Sequence, residues 1–268
     1  MLQECIASVM GGGDVNRVIV VDNGTHAEVP PGVECVRPSR NLGFGGGANA
    51  GFRRAAELGA TAIALINDDV VVEPGWLRPL ITALDDDAAI GAVQPKLLMA
   101  GSEPARVNSV GVEIDAHGAG HDVGFDEADG PQFEEVRPIA AFTGGAVVFR
   151  AAFIDATGGF DDSYFLYYED LDLARRGSAL GWTYLCVPSS RAWHRVSAST
   201  TKLGDRARYL QERNRLRFAF RFGEPAGVAR ALWLSVRRVR WSPRTVHARA
   251  LLAGLGSAPR ALVARFRA

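Results

Sequence analysis

Short apolar runs alternate along this chain with stretches of helical spacing, the pattern of a sheet whose strands are joined by helices. Residues 17–21 (RVIVV) are a buried-strand run stopped by Asp22-Asn23-Gly24, and residues 33–36 form a second, shorter run. Residues 46–58 are alanine-rich and spaced as a helix. Residues 61–66 (TAIALI) predict a third strand, which ends directly on Asn67-Asp68-Asp69. A helix is predicted over 76–84, behind Pro74, a residue that favours helix starts. Further strands are predicted at 90–96, 146–149 and 184–187, with helices at 151–157 and 169–180. Residues 101–137 are polar and Gly-rich and read as a loop or hairpin, and from Asp205 onward the pattern is helical and rich in arginine. The order predicts an α/β fold, a mostly parallel central sheet flanked by helices, followed by a basic helical extension. A soft boundary near residue 204 separates 1–204 from 205–268. No internal repeat is visible.

Composition narrows the class. With 268 residues, 47% of them hydrophobic and 22% charged, the chain can bury one large core, which excludes a disordered or fibrous protein. Three cysteines (Cys5, Cys35, Cys186) without CxxC spacing argue against a disulfide framework and a zinc site. No run approaches a membrane-spanning length and no signal peptide opens the chain, so a cytoplasmic location is expected. The zero net charge hides an asymmetry: residues 1–204 carry 15 basic and 27 acidic groups, and residues 205–268 carry 15 and 3. A basic extension of this kind suits an anionic partner. Only two basic residues are lysine, Lys96 and Lys202, a usage that carries no chemistry by itself.

Four segments could carry chemistry. The two adjacent carboxylates after TAIALI stand at the C-terminal end of a predicted strand, where open α/β sheets bind ligands, and oxygen ligands suit Mg²⁺ or Mn²⁺. A solvated acidic turn explains them equally well. Glu169 and Asp170 fall at a predicted helix start, where a carboxylate can cap the helix or serve as a general base. His194 follows Trp193 in a predicted polar turn and is either structural or a further ligand of a carboxylate metal site. The segment from Gly43 to Ala48 contains a formal G-x-G-x-x-A. It raises the alternative of an NAD(P)-dependent oxidoreductase, although it follows the second visible strand and precedes an acidic doublet.

Taken together, the segments resemble the family 2 glycosyltransferases of the GT-A fold, in particular rhamnosyltransferase-like bacterial members. The resemblance is carried by Val20-Val21-Asp22-Asn23-Gly24-Thr25, by Arg40-Asn41-Leu42-Gly43-Phe44-Gly45 with Asn49 and Gly51, and by Asn67-Asp68-Asp69. It continues through Phe142-Thr143-Gly144-Gly145, Gly158-Gly159-Phe160-Asp161 running into Tyr168-Glu169-Asp170-Leu171-Asp172-Leu173 with Arg175 or Arg176, and Trp193-His194. It spans roughly residues 1–220, and the blocks agree in order and spacing.

The resemblance implies a role for each matching residue. Asp69 would coordinate a divalent cation (Mg²⁺ or Mn²⁺), Asp68 would touch the cation or the donor ribose, and His194 would be the further metal or diphosphate ligand. Asp22, Asn23, Asn41 and Gly43 would line the nucleotide of a nucleotide-sugar donor. Asp170 would deprotonate the acceptor hydroxyl, with Glu169 its rival, and direct displacement would invert the anomeric carbon. The acceptor would be a cell-wall or polysaccharide glycan, or one linked to polyprenyl diphosphate.

Two features depart from the family pattern. The family opens with an interior strand and an Asn-containing loop, whereas this chain begins inside the following helix. The expectation is a gap in the sheet, from a late start assignment, a truncation or a non-catalytic membrane-associated subunit. In the tail, Arg221, Arg230, Arg237, Arg238, Arg240 and Arg244 interleave with Leu232, Trp233, Leu234, Val236, Val239 and Trp241. That mixture suits an interfacial helix in 221–268 on an anionic membrane, at the inner face of the plasma membrane, or a helix packed on the domain. No nucleic-acid motif accompanies the charge, so nucleic acid is not expected as a partner.

Overall fold

The computed structural model describes residues 1–12, 14–195, 203–240 and 243–265. In chain order the elements are α1 (Leu2–Gly11), β1 (Ile19–Val21), β2 (Glu34–Val36), α2 (Gly43–Glu57), β3 (Ala62–Ile66), β4 (Val70–Val72), α3 (Leu77–Asp86) and β5 (Ile90–Met99). Next come β6 (Val107–Ser109), β7 (Val112–Ile114), β8 (Gly120–Asp122), β9 (Arg137–Pro138), β10 (Ala146–Arg150), α4 (Ala151–Thr157), α5 (Glu169–Ala179) and β11 (Thr183–His194). The extension consists of α6 (Asp205–Phe222), α7 (Pro225–Arg238) and α8 (Arg244–Arg265).

Among the described residues, seven strands form the central sheet, with β3-β10-β5-β11-β4 as its path, β6 on β5 and β9 on β11. Strand alternation sorts the core into two layers. Val147 and Phe149 of β10 face α2, α4 and α5 in an aromatic cluster with Phe52, Phe142, Phe153, Phe160 and Tyr184. Ala146 and Val148 of the same strand face α3, against Trp76, Leu80 and Leu84. Ring pairs such as Phe142–Tyr184 and Phe142–Phe149, at 5.2 and 5.1 Å, meet edge to face, the arrangement ring quadrupoles favour.

The expected parallel sheet needs correction. Only β5–β11 is parallel in the central sheet, while β3–β10, β10–β5, β11–β4, β5–β6 and β11–β9 are antiparallel. Continuous apolar runs mark strands buried on both faces and say nothing of direction; β10 enters between β3 and β5 in reverse after the long excursion of 101–141. That excursion holds β6, the β7–β8 hairpin and β9.

β1 and β2 pair in parallel as a separate ladder that shares no hydrogen bonds with β3 among the described residues. Both β1 and β3 are only half-buried. α2 begins at Gly43, earlier than the alanine-rich spacing indicates, because its glycines pack closely against neighbours.

The extension docks on the domain through α6. Phe218 joins the aromatic layer, and Arg217 and Arg221 reach Asp161 at 3.0 and 3.2 Å. Arg215 and Glu212, 2% and 3% exposed, pair at 2.8 Å and link α6 to Ser235 and Arg238 of α7. Two arginines predicted to face lipid are therefore turned inward: Arg221 pairs with Asp172 and Arg238 with Glu212. Trp241 lies outside the described residues. Among the described residues, no helix is long and apolar enough to cross a membrane.

Candidate active site

β3 ends at Ile66, and its antiparallel register with β10 continues one step further, Asn67 N donating to Gly145 O at 2.9 Å. Asn67-Asp68-Asp69 then turn sharply, Val70 N donating to Asn67 O, before β4 begins. β4 pairs with the far end of β11, and the register sets His194 opposite Val70. Asp69 is thereby brought to His194, with Oδ1 3.3 Å from Nε2. His194 thus ends a twelve-residue strand instead of occupying the polar turn that the sequence predicts. Pro188 and the serines after it hide the strand because β11 shifts register between Val187 and Arg191, which breaks the alternation.

The chemistry of this pair is decided by a third residue. His194 Nδ1 lies 2.7 Å from Asn108 Oδ1, a carbonyl oxygen that can only accept. Nδ1 therefore carries a proton, and in the neutral imidazole the Nε2 lone pair faces Asp69. Asp69 Oδ1 is buried and has no hydrogen-bond partner. Across this 3.3 Å gap the two atoms can share a proton or, with the imidazole neutral, hold a cation between them. Asp68 is exposed and does not complete a trio: among the described residues, no group of three such side chains gathers at one point. Successive residues leave a strand end on opposite sides, so a doublet delivers one carboxylate inward. Although the residue is exposed overall, partial desolvation of its carboxyl, with the Asp69 charge beside it, raises the Asp68 pKa.

Asn108 and Asp122, a carboxyl within electrostatic reach of His194 whose burial raises its pKa, come from the stretch that reads as loop, and no signal in the sequence marks them.

The predicted nucleotide-contacting residues assemble into one loop. Asn23 Nδ2 donates to Gly43 O at 2.7 Å while its Oδ1 accepts from Leu42 N, and Asn41 Oδ1 accepts from Gly43 N. Gly43 has φ +76°, and a side chain there would strike the Phe165 carbonyl. Asp22 is buried, and its carboxylate accepts from Thr25, His26, Ala27 and Arg37, bonds that hold its pKa far below the usual carboxylate range. These side chains shape the loop and hold its backbone at Leu42 and Gly43. The other glycines meet protein: Gly45 packs on Phe160 and Gly46 on Leu42. A dinucleotide fingerprint would instead keep its glycines for the approach of a pyrophosphate.

Across from this loop, Phe165, Tyr167 and Tyr168 all have φ near +70°, a costly conformation for aromatic residues. Phe165 O accepts from Phe44 N, and Asn214 of α6 holds the rest. Its fully buried Nδ2 lies 3.0, 2.8 and 2.8 Å from the carbonyl oxygens of Tyr164, Leu166 and Tyr167. The loop delivers Glu169 and Asp170 to the start of α5. Asp170 accepts from Leu171 N at 2.8 Å and Gly144 N at 3.3 Å. Burial raises its pKa to about 6 against those bonds, and the Asp122 charge adds to the rise. Glu169 is 5% exposed with Oε2 unpartnered, and burial, then the Asp170 charge, raises its pKa well above the ordinary value. Asn214 is invisible to sequence reasoning because it sits among arginines in a helix that reads as a surface element.

Residues 8–219 match the family described as glycosyltransferase like family 2. The chain belongs to glycosyltransferase family 2. This glycosyltransferase is 25% identical over 258 residues to the N-acetylglucosaminyl-diphospho-decaprenol L-rhamnosyltransferase of Mycobacterium tuberculosis, covering 85% of this chain and 79% of that one. Two solved structures share its GT-A fold at 13% identity. GalNAc-T7 with UDP, GalNAc and Mn²⁺ superposes with a TM-score of 0.62, covering 93% of this chain; the transferase spans about half of that longer chain (52%). The mannosyltransferase PcManGT from Pyrobaculum calidifontis, in complex with GDP-Man and Mn²⁺, gives 0.55, covering 96% and 83%. Family membership removes the oxidoreductase alternative, in line with the packing of the glycines.

Proposed function

We propose that this glycosyltransferase is an inverting, divalent-metal-dependent enzyme. It transfers a sugar, with rhamnose favoured by the mycobacterial relative, from a nucleotide-sugar donor to a glycan or polyprenyl-diphosphate-linked acceptor. The observation that carries the metal assignment is the facing pair Asp69 Oδ1 and His194 Nε2, with Asn108 directing the second lone pair inward. A carboxylate and an imidazole suit Mn²⁺ or Mg²⁺, which complete their shells with substrate phosphates and water. A cation bound there supplies Lewis-acid stabilisation to the departing nucleoside diphosphate. Asp68 lies beside the pair for contact with the donor, and the Asn23–Asn41–Gly43 loop carries the nucleotide on its backbone.

Asp170 accepts the proton of the acceptor hydroxyl. Its raised pKa of about 6 leaves it ionised at neutral pH yet basic enough to take a proton. Burial, then the Asp170 charge, disfavours the ionised form of Glu169, which makes it the weaker candidate. A single base on the acceptor side, with no second carboxylate assigned as nucleophile, suits one displacement and inversion.

Residues 1–204 form the transferase domain in this scheme and 205–268 an extension at the inner face of the plasma membrane. Trp233 and Val236 of α7 and Leu252 and Val263 of α8 are exposed apolar residues beside Arg230, Arg237, Arg240 and Arg244, a composition suited to an anionic bilayer surface.

The metal site is tested by thermal shift with UDP or dTDP. At about one hundred times Kd the wild-type chain is expected to gain about 2.7 kcal/mol, and only with Mn²⁺ present. Asp69→Ala should lose the metal-dependent part. A variant that kept the full shift would remove Asp69 from the metal site.

The Asn214 clamp gives a second expected outcome. Asn214→Ala should lower kcat by about 10- to 100-fold, because the released loop lets the base drift by an ångström or so. Donor affinity should stay constant. Asn214→Asp, of equal size but facing three carbonyls with an acceptor, should be no better. A parallel fall in donor affinity would mean that Asn214 only supports the fold.

A further inference from the structure

We propose that the cavity between the first half of α6 and the start of α8 is an anion subsite that takes the phosphate or diphosphate group of the acceptor. It rests on the lipid-linked acceptor proposed above. The cavity, about 510 Å³, is walled by Phe165, Arg206, Tyr209, Arg213 and Arg249. Arg206, Tyr209 and Arg213 follow at intervals of three and four, so they share one face of α6, and Arg249 comes from α8. The Arg206 guanidinium lies 5.0 Å from the centre of the Phe165 ring, and those of Arg213 and Arg249 lie 5.8 and 5.9 Å from the Tyr209 ring. A guanidinium resting on a ring keeps its donor edge free for a phosphate.

The charges do not balance. Asp205, the carboxylate on the wall, is paired with Arg208 at 3.1 Å. Among the described residues, none of the three wall arginines has a carboxylate partner. Half-buried Arg213 donates to two neutral acceptors, Asn214 Oδ1 at 2.8 Å and Tyr164 O at 2.6 Å. Its burial lowers its pKa, the mark of a cation short of both water and counter-charge. A phosphate entering the cavity supplies that charge through charge-assisted hydrogen bonds. The larger cavity of about 740 Å³ differs because two of its three arginines, Arg176 and Arg221, are already paired with Asp172, which leaves Arg260.

Position links the cavity to the chemistry. Phe165, on its wall, starts the left-handed loop that leads into Asp170, and its carbonyl bonds Phe44 beside Gly43. Arg213 and Asn214, adjacent on α6, hold the same loop at Tyr164. An anchored acceptor phosphate would therefore sit beside the segment that carries the base.

The probes are inorganic pyrophosphate and farnesyl diphosphate, titrated calorimetrically on the full chain without divalent metal. The double variant Arg206→Gln/Arg249→Gln, at two exposed positions, should bind pyrophosphate at least about tenfold more weakly, since each lost charge-assisted bond is worth about that factor. Its unfolding midpoint and its response to UDP with Mn²⁺ should not change. Equal affinity for pyrophosphate would overturn the subsite. In a second arm, neutral phosphatidylcholine vesicles carry either farnesyl diphosphate or phosphatidylglycerol. Only the farnesyl diphosphate vesicles should lose binding in the variant. Equal loss on phosphatidylglycerol would assign the arginines to bilayer headgroups and overturn the acceptor role. A wild-type chain without a nucleoside-diphosphate shift would fail the mechanism proposed above while leaving this metal-free measurement intact.

Discussion

Asp170→Asn is expected to lower kcat by about 10²- to 10⁴-fold, the range lost when a general base is removed, with donor affinity unchanged. The amide keeps the shape of the carboxylate, and its one oxygen can still accept from Leu171 N at the start of α5, while the longer bond from Gly144 N to the second carboxylate oxygen is given up. What it cannot do is take a proton. In the wild-type enzyme, kcat should fall as pH drops below about 6, because the base must be ionised and burial holds its pKa there. The residual activity of the variant should lack that acid limb. Glu169→Gln is the matched control. Burial raises the Glu169 pKa and so favours its neutral form, which the amide mimics, and the variant should stay within about threefold of wild type. The reverse pattern, an active Asp170→Asn and an inactive Glu169→Gln, would transfer the base assignment to Glu169.

Glu212→Ala is expected to destabilise the protein by about 3–5 kcal/mol, the cost of leaving a buried charge without its partner. Arg215, 2% exposed, would keep only neutral acceptors, His117 O, Ala231 O and Ser235 Oγ. Calorimetric or denaturant unfolding measures the loss. Glu212→Leu combined with Arg215→Met should recover at least half of it, since replacing both members of a buried pair by apolar groups is often neutral. If the double variant were as unstable as the single one, packing and not charge would be responsible.

The same pair predicts a pH dependence. Burial raises the Glu212 pKa, but the hydrogen bond and charge of Arg215, then Ser235 and Arg238, bring it down to about 2 from an ordinary 4.5. A depressed carboxylate pKa stabilises the fold fully above the unfolded value. That stability should be lost as pH falls from about 4.5 toward 2.

Both predictions concern residues at opposite ends of what a sequence reveals. Asp170 is legible because it belongs to a block whose order and spacing repeat a family pattern, and Asp69 and His194 are legible for the same reason. Glu212, Asn214, Arg213 and Asn108 are not. A charged residue in an arginine-rich helix reads as solvated until the helix is seen pressed against a domain. An asparagine in a polar loop is one of many until its oxygen is found on an imidazole.

Periodicity and residue order determined most of the elements, the α/β class, the acidic turn after β3 and the glycine loop before α2, since these follow from local burial and local turn chemistry. Tertiary structure decided what depends on residues distant in the chain. Strand direction is one case, because β10 enters between β3 and β5 only after the chain has doubled back. The Asp69–His194 pair is another: 125 positions separate the two residues, and the β4–β11 register joins them across a bulge that hides the end of β11 from any alternation. The tail is the third. Arg221 and Arg238 look identical to Arg230 and Arg237 in sequence, and only their distance to Asp172 and Glu212 marks them as arginines that hold the fold together.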